Sequence, residues 1–235
     1  RNLAKDLLRQ PPPRSWFKGY GAENPMFRAL ACNPAILGVV KRLIGDDVML
    51  WGASLVSAPP GHMHAWHSDI ETSYANGKTV SVWIPLAGAS LNSSLRLISR
   101  THAIDASVQE MRFLHDKTDS DVDAAKVLAW ARTRNAACSI CTPDVQAGHA
   151  LFFDGRLWHG SHNTNRAGTR IALILQYAEP GVPIRMMQSI STPHMLVRGG
   201  RPPCIMVSGH DLSGLNKVID PLQREAGTMK EVRCK

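Results

Sequence analysis

No stretch of this 235-residue chain approaches the roughly eighteen consecutive apolar residues of a membrane-spanning helix, and no charged start leads into an apolar run as a secretory leader does. Cysteine is sparse. Five cysteines, an odd number at irregular spacing, do not make the paired framework of a small secreted domain, so the sequence reads as that of a cytoplasmic protein kept reduced. The pair Cys138 and Cys141 lacks the second pair that a structural zinc site needs nearby, and it reads as structural. Basic residues are plentiful but dispersed: the net charge is +8, yet there is no block of five or more and no interleaved aromatic ladder, aromatics being only 6%. That pattern argues against a nucleic-acid partner and fits a solvated basic surface or an anionic small-molecule ligand. Repeats and low-complexity tracts are also missing.

What remains is enough for one core. A chain that is 44% apolar with eighteen glycines and fifteen prolines spread along it suits short strands joined by turns better than a helix bundle, so the expectation is a mainly β barrel in a single domain, 1–235. One helix is marked before the strands begin. Asn33-Pro34 supplies an N-cap and a proline at the first helical position, Ile36, Leu37, Val40, Leu43 and Ile44 follow at helical spacing, and Gly45 stops it. Strands are expected over 47–57, 79–86, 95–99, 149–153 and 170–177. The span 104–145 changes to helical spacing and reads as an insertion, and 183–235 reads as an extension over the barrel mouth.

The chemistry concentrates in Trp66-His67-Ser68-Asp69. In extended chain, residues two apart share a face, so His67 and Asp69 project together from a strand end. An imidazole and a carboxylate are two thirds of the facial triad that holds non-haem Fe(II). With ten histidines and thirteen aspartates, chance alone supplies roughly half a His-x-Asp, so the triplet needs company. It finds some in His159, after the apolar run 150–153, and in Arg170, which opens a second apolar run after a polar turn. His162 competes with His159, and Arg166 with Arg170; the eleven-residue spacing and the strand start favour His159 and Arg170. His62 and His64 read as loop or pocket-rim residues. Ser81 and Trp83 share one face of their strand, as lined-pocket residues would.

Taken in order, His67-x-Asp69, His159, Gly160-Ser161 and Arg170 resemble the phytanoyl-CoA dioxygenase group of Fe(II)/2-oxoglutarate oxygenases, over about residues 33–177. The resemblance implies a double-stranded β-helix, a cupin-like jelly roll with flanking helices. It implies that His67, Asp69 and His159 bind Fe(II), and that Arg170, with Ser161 beside it, binds the distal carboxylate of 2-oxoglutarate. Ser81 and Trp83 would line the cosubstrate pocket. The implied reaction couples O2 and decarboxylation of 2-oxoglutarate to succinate and CO2 with oxidation of an unactivated C–H bond, by hydroxylation or oxidative ring closure. Asp69 is the carboxylate that halogenating relatives replace, which argues against halogenation. Compact members of the group tailor natural products such as sugar antibiotics, so a small molecule, anionic or carbohydrate-containing, is the expected substrate. Glu71, Tyr74, Arg96 and Arg198 are polar candidates to contact it. Two other readings stay open at this point: a metal-binding barrel or zinc hydrolase without oxygen chemistry, and a nucleic-acid demethylase of the same superfamily.

Overall fold

Two asparagines set the entry to the barrel. In the computed structural model, which describes residues 24–70, 77–115, 123–166, 168–184 and 201–220, Asn24 caps helix α1 (Pro25–Ala31) and Asn33 caps α2 (Pro34–Ile44). Each side-chain oxygen accepts the second N–H of its helix, from Met26 at 2.9 Å and Ala35 at 3.0 Å, and each helix opens on proline, whose missing N–H costs nothing there. Gly45 ends α2 at φ +107, a backbone region that side chains disfavour. Val40 and Ile44 are buried as the spacing predicts, whereas Leu43 is exposed.

The strands are β1 (Val48–Ala58), β2 (Met63–His67), β3 (Thr79–Ala87), β4 (Leu95–Ile98), β5 (Ile140–Cys141), β6 (Leu151–Phe153), β7 (His159–His162), β8 (Arg170–Ala178), β9 (Pro203–Ser208) and β10 (Lys217–Val218). They form two sheets, ordered β10-β9-β1-β8-β3-β6 and β2-β7-β4-β5. With β1, β8, β3 and β6 facing β2, β7, β4 and β5, this is the double-stranded β-helix, a jelly roll. Helices α3 (Val108–Leu114) and α4 (Ala124–Arg134) lie between β4 and β5, so the two-residue β5 falls inside the span that reads as pure insertion in the sequence. The described part of the tail is built into the larger sheet, β9 running antiparallel to β1 and β10 parallel to β9. No helix among the described residues is long and apolar enough to cross a membrane.

Alternation divides the apolar residues among three layers. Outside the larger sheet, Phe27, Val40 and Ile44 of the helices pack on Val82, Leu173 and Leu175. There Tyr177 donates its hydroxyl to the Ala31 carbonyl at 3.2 Å, and burial keeps that phenol protonated well above the usual range. Outside the smaller sheet, Val108, Met111, Val127 and Trp130 of α3 and α4 cover Trp66 and Trp158. Between the sheets, Trp83, Leu95, Leu97, Phe153 and Ala172 close the interior. Burying each such large side chain stabilises by about 1.5–3 kcal/mol, and together they fix the spacing of the two sheets. The interior next to this layer holds the polar residues.

Candidate metal centre

His67 and His159, 92 residues apart in sequence, become direct cross-strand partners when β2 pairs with β7. Their rings face each other at 4.2 Å between centroids. Asp69 lies just past the end of β2, where the N–H groups of Asp69 and Ile70 both donate to the Gly155 carbonyl (2.8 and 3.1 Å) and turn the carboxylate toward the two rings. Its Oδ1 is 3.6 Å from His67 Nε2 and 3.9 Å from His159 Nε2. The three ligand atoms lie within 4.8 Å of one another, close enough to share one ion.

The surroundings prepare these atoms for a metal. Nδ1–H of His67 donates to the Ala65 carbonyl and Nδ1–H of His159 to the Leu157 carbonyl, both at 2.8 Å, which fixes the tautomer in each ring and leaves the Nε2 lone pair directed at Asp69. Ser81 Oγ donates to Asp69 Oδ2 at 2.6 Å and so reserves Oδ1. This is the arrangement that a two-histidine, one-carboxylate centre needs, and the donor set fits a divalent transition metal with positions left open.

A fourth histidine is present. Between His64 and His67 the pairing with β7 slips by one residue, a β-bulge that sets three steps along β2 against two along β7. The bulge turns His64 to the same side as His67, ring to ring at 4.6 Å, and places it opposite Ser161. Strict alternation would have sent it to the other face. The His67 charge, then burial, then His159 push the His64 imidazole down to about 3, so it is neutral beside the ligands. Gly160 makes the bulge possible: a Cβ there would lie 3.1 Å from the His64 carbonyl oxygen and 3.3 Å from Trp66 Cα.

Arg170 begins β8 and is 1% exposed. Nη1 donates to the Ser93 carbonyl at 2.8 Å and the guanidinium sits 5.7 Å from the Trp83 ring centroid, but Nε has no partner and no carboxylate pairs with the group among the described residues. Burial lowers its pKa, yet a guanidinium stays charged. A buried, uncompensated cation costs several kcal/mol, and the apolar interior around it gives no anion in return. The site therefore fits an anionic group from outside the chain, for which a planar fork of donors is suited to a carboxylate. Ser161, buried on β7 and paired with Leu95 and His64, is on the inner face with His159.

Of the residues singled out in the sequence, His67, Asp69, His159 and Ser81 meet directly, and Ser161, Trp83 and Arg170 face the same interior. Alternation along β7 turns His162 away from the face that His159 and Ser161 share. Arg96, a candidate substrate contact, lies on the opposite face from His159 and Ser161. It pairs with Gly160, between Leu95 and Leu97 whose side chains point inward, and its guanidinium lies 5.6 Å from the Trp66 ring on the outer face. Glu71, Tyr74 and Arg198 lie outside the described residues. Cys138 is buried and Cys141 exposed, both as free thiols. Two contacts of the ligand segment went unread in sequence, Gln109 and Arg112 of α3, although Ser107-Val108-Gln109-Glu110 carries the capping-box signature of the helix that presents them.

The family described as Phytanoyl-CoA dioxygenase (PhyH) matches residues 17–172. No curated protein sequence matches the chain. Among solved structures, the non-heme monooxygenase ThoJ in its apo form is 18% identical, with 92% of this chain and 75% of that one covered and a TM-score of 0.59. The epimerase SnoN in complex with Fe3+, α-ketoglutarate (2-oxoglutarate) and nogalamycin RO is 16% identical over 90% and 84%, at a TM-score of 0.57. SnoK, a non-heme α-ketoglutarate-dependent carbocyclase from nogalamycin biosynthesis, is 18% identical over 86% and 82%, at a TM-score of 0.55. At these identities the likeness is one of fold.

Proposed function

The chain belongs to the phytanoyl-CoA dioxygenase family, and from that membership we propose that it is an Fe(II)/2-oxoglutarate-dependent oxygenase that oxidises an unactivated C–H bond of a small molecule in natural-product biosynthesis, by hydroxylation or oxidative ring closure. The observation that carries the reading is Arg170, a buried cation with no carboxylate partner among the described residues, in the same interior as His67, Asp69 and His159. A hydrolytic zinc site would leave Arg170 without a task. The likeness to SnoN and SnoK, both from nogalamycin biosynthesis, supports a natural-product substrate.

His67 and His159 offer Nε2 and Asp69 offers Oδ1, so one carboxylate charge offsets part of the charge of a divalent ion. Iron held by these residues would, with 2-oxoglutarate and O2, supply the oxidising equivalents, with conversion of 2-oxoglutarate to succinate and CO2. Arg170 would bind the distal carboxylate of the cosubstrate with two parallel donors, and the Trp83 ring, 5.7 Å from the guanidinium, is within cation–π reach of it. Ser161 offers a hydroxyl, and His64, held neutral, adds no charge next to the ligands. Asp69, His159 and Arg170 are buried between the sheets, and a low-dielectric setting strengthens such contacts.

Anaerobic titration of the purified protein with Fe(II) and 2-oxoglutarate tests the reading. The expected result is the weak visible charge-transfer band of the chelated keto acid, lost or much reduced in Arg170→Ala. Bound iron without such a band in the parent would overturn the proposal.

A further inference from the structure

The segment that carries two of the three ligands leaves the sheet. β2 ends at His67, so the backbone groups of Ser68 have no neighbouring strand to satisfy them, and a buried unsatisfied group costs roughly as much as a lost hydrogen bond. The insertion helix α3 provides part of the missing strand. Gln109 Oε1 accepts from the Ser68 N–H at 3.1 Å and from Ser68 Oγ at 3.2 Å, and Gln109 Nε2 donates to the Ser68 carbonyl at 2.9 Å. One side-chain amide thus meets both backbone groups of the residue between His67 and Asp69, as a strand residue would. Three residues along the helix, Arg112 donates to the Trp66 carbonyl. Ser68 is 3% exposed and Gln109 8%, so water does not compete for these bonds.

The helix that presents Gln109 is itself fixed. The Ser107 N–H donates to Glu110 Oε2 at 2.6 Å and the Glu110 N–H to Ser107 Oγ at 3.1 Å, a reciprocal cap that sets where the helix begins. Val108 and Met111 anchor it against Trp66 and Trp158, the residues that immediately precede the two ligand histidines in sequence. The packing and the hydrogen bonds converge on the same few residues of backbone.

We infer that Gln109 is a positioning residue of the metal centre: its amide holds Ser68 so that His67 and Asp69 aim at one point, and the insertion between β4 and β5 is thereby part of the metal site. The inference rests on His67, Asp69 and His159 being metal ligands. A side chain that orients ligands commonly changes metal affinity 10–100-fold when removed, and Gln109 does so through the Ser68 backbone.

Metal-free protein is titrated with Co(II), whose visible absorption reports coordination geometry, and its melting temperature is recorded before addition. Gln109→Met keeps the length of the side chain and removes the amide. It should bind Co(II) at least about 10-fold more weakly, with an altered Co(II) spectrum. Val40→Ala, in helix α2 outside the larger sheet and away from the ligand segment, should lower the melting temperature of the metal-free protein yet keep the parental affinity and spectrum. Should Gln109→Met fail to fold, Gln109→Asn, one methylene short of Ser68, is expected to show the same weakened binding. Parental Co(II) affinity and spectrum in a folded but less stable Gln109 variant would overturn the inference and leave only a structural role. A parent that binds no Co(II) would instead sink the metal reading on which it rests.

Discussion

Ser81 Oγ donates to Asp69 Oδ2 at 2.6 Å, and the other oxygen of that carboxylate faces the Nε2 atoms of His67 and His159. The serine lies on β3 in the larger sheet, and the histidines lie in the smaller one, so this hydrogen bond ties the larger sheet to the candidate metal centre.

Ser81→Ala should therefore act on the metal. A hydrogen bond to a charged acceptor is worth about 1.5–3 kcal/mol, and its loss lets the carboxylate rotate. The expected effect is metal affinity lower by about 10-fold in a Ni(II) or Fe(II) titration, with 2-oxoglutarate affinity near the parental value at saturating metal. The reverse outcome would return Ser81 to the cosubstrate pocket that the family resemblance implies.

Arg170→Met removes a charge that has no acidic partner among the described residues in the ligand-free protein. Breaking a paired buried charge destabilises, but replacing an uncompensated one with an apolar side chain of similar length is neutral or stabilising. The metal-free variant should melt no lower than the parent. With Ni(II) present, 2-oxoglutarate at a hundredfold excess over Kd stabilises the parent by about 2.7 kcal/mol, and the variant should lose that gain in the same melting assay.

His64 gives the metal-free protein a pH dependence of defined sign. Its folded pKa of about 3 lies below the ordinary imidazole value of 6.5, so on acidification the unfolded chain takes up the proton first. The stability linked to it is complete above about pH 6.5 and declines as pH falls toward 3, by at most about 1.4 kcal/mol per pH unit. Urea unfolding of metal-free His64→Phe across about pH 4 to 7 should show a flatter profile than the parent. Equal slopes would mean that His64 is not held neutral in the fold.

Gly160→Ala tests the close approach at the bulge. The new methyl meets backbone atoms of His64 and Trp66, which cannot rotate away as a side-chain end can. Overpacking of this kind costs about 1–3 kcal/mol, and here it would separate β2 from β7. Denaturant unfolding should show the lost stability, and a metal titration should show weaker binding, because His67 and His159 sit on the two strands being pushed apart.

Much of the site was legible in the chain because the relevant signals are local. His67 and Asp69 could be paired by period, α2 could be bounded by Asn33-Pro34 and Gly45, and Arg170 could be placed at a strand start from the polar turn before it. The order His67, Asp69, His159, Arg170 carried the family resemblance, and with it the jelly roll that the structure shows.

Tertiary structure decided which face each residue presents and what holds it there. Period two fixes only relative facing along an uninterrupted strand. An extra residue before His67 reversed His64, and the pairing of β4 with β7 sent Arg96 outward, neither of which local propensity records. Gln109, 41 residues from Ser68, reaches the ligand segment only because α3 packs over the outside of the smaller sheet. The sequence by itself determined the ligand types and their order. The strand register and helix packing, set by burial and by the need to satisfy backbone groups at a strand end, decided how those ligands are aimed.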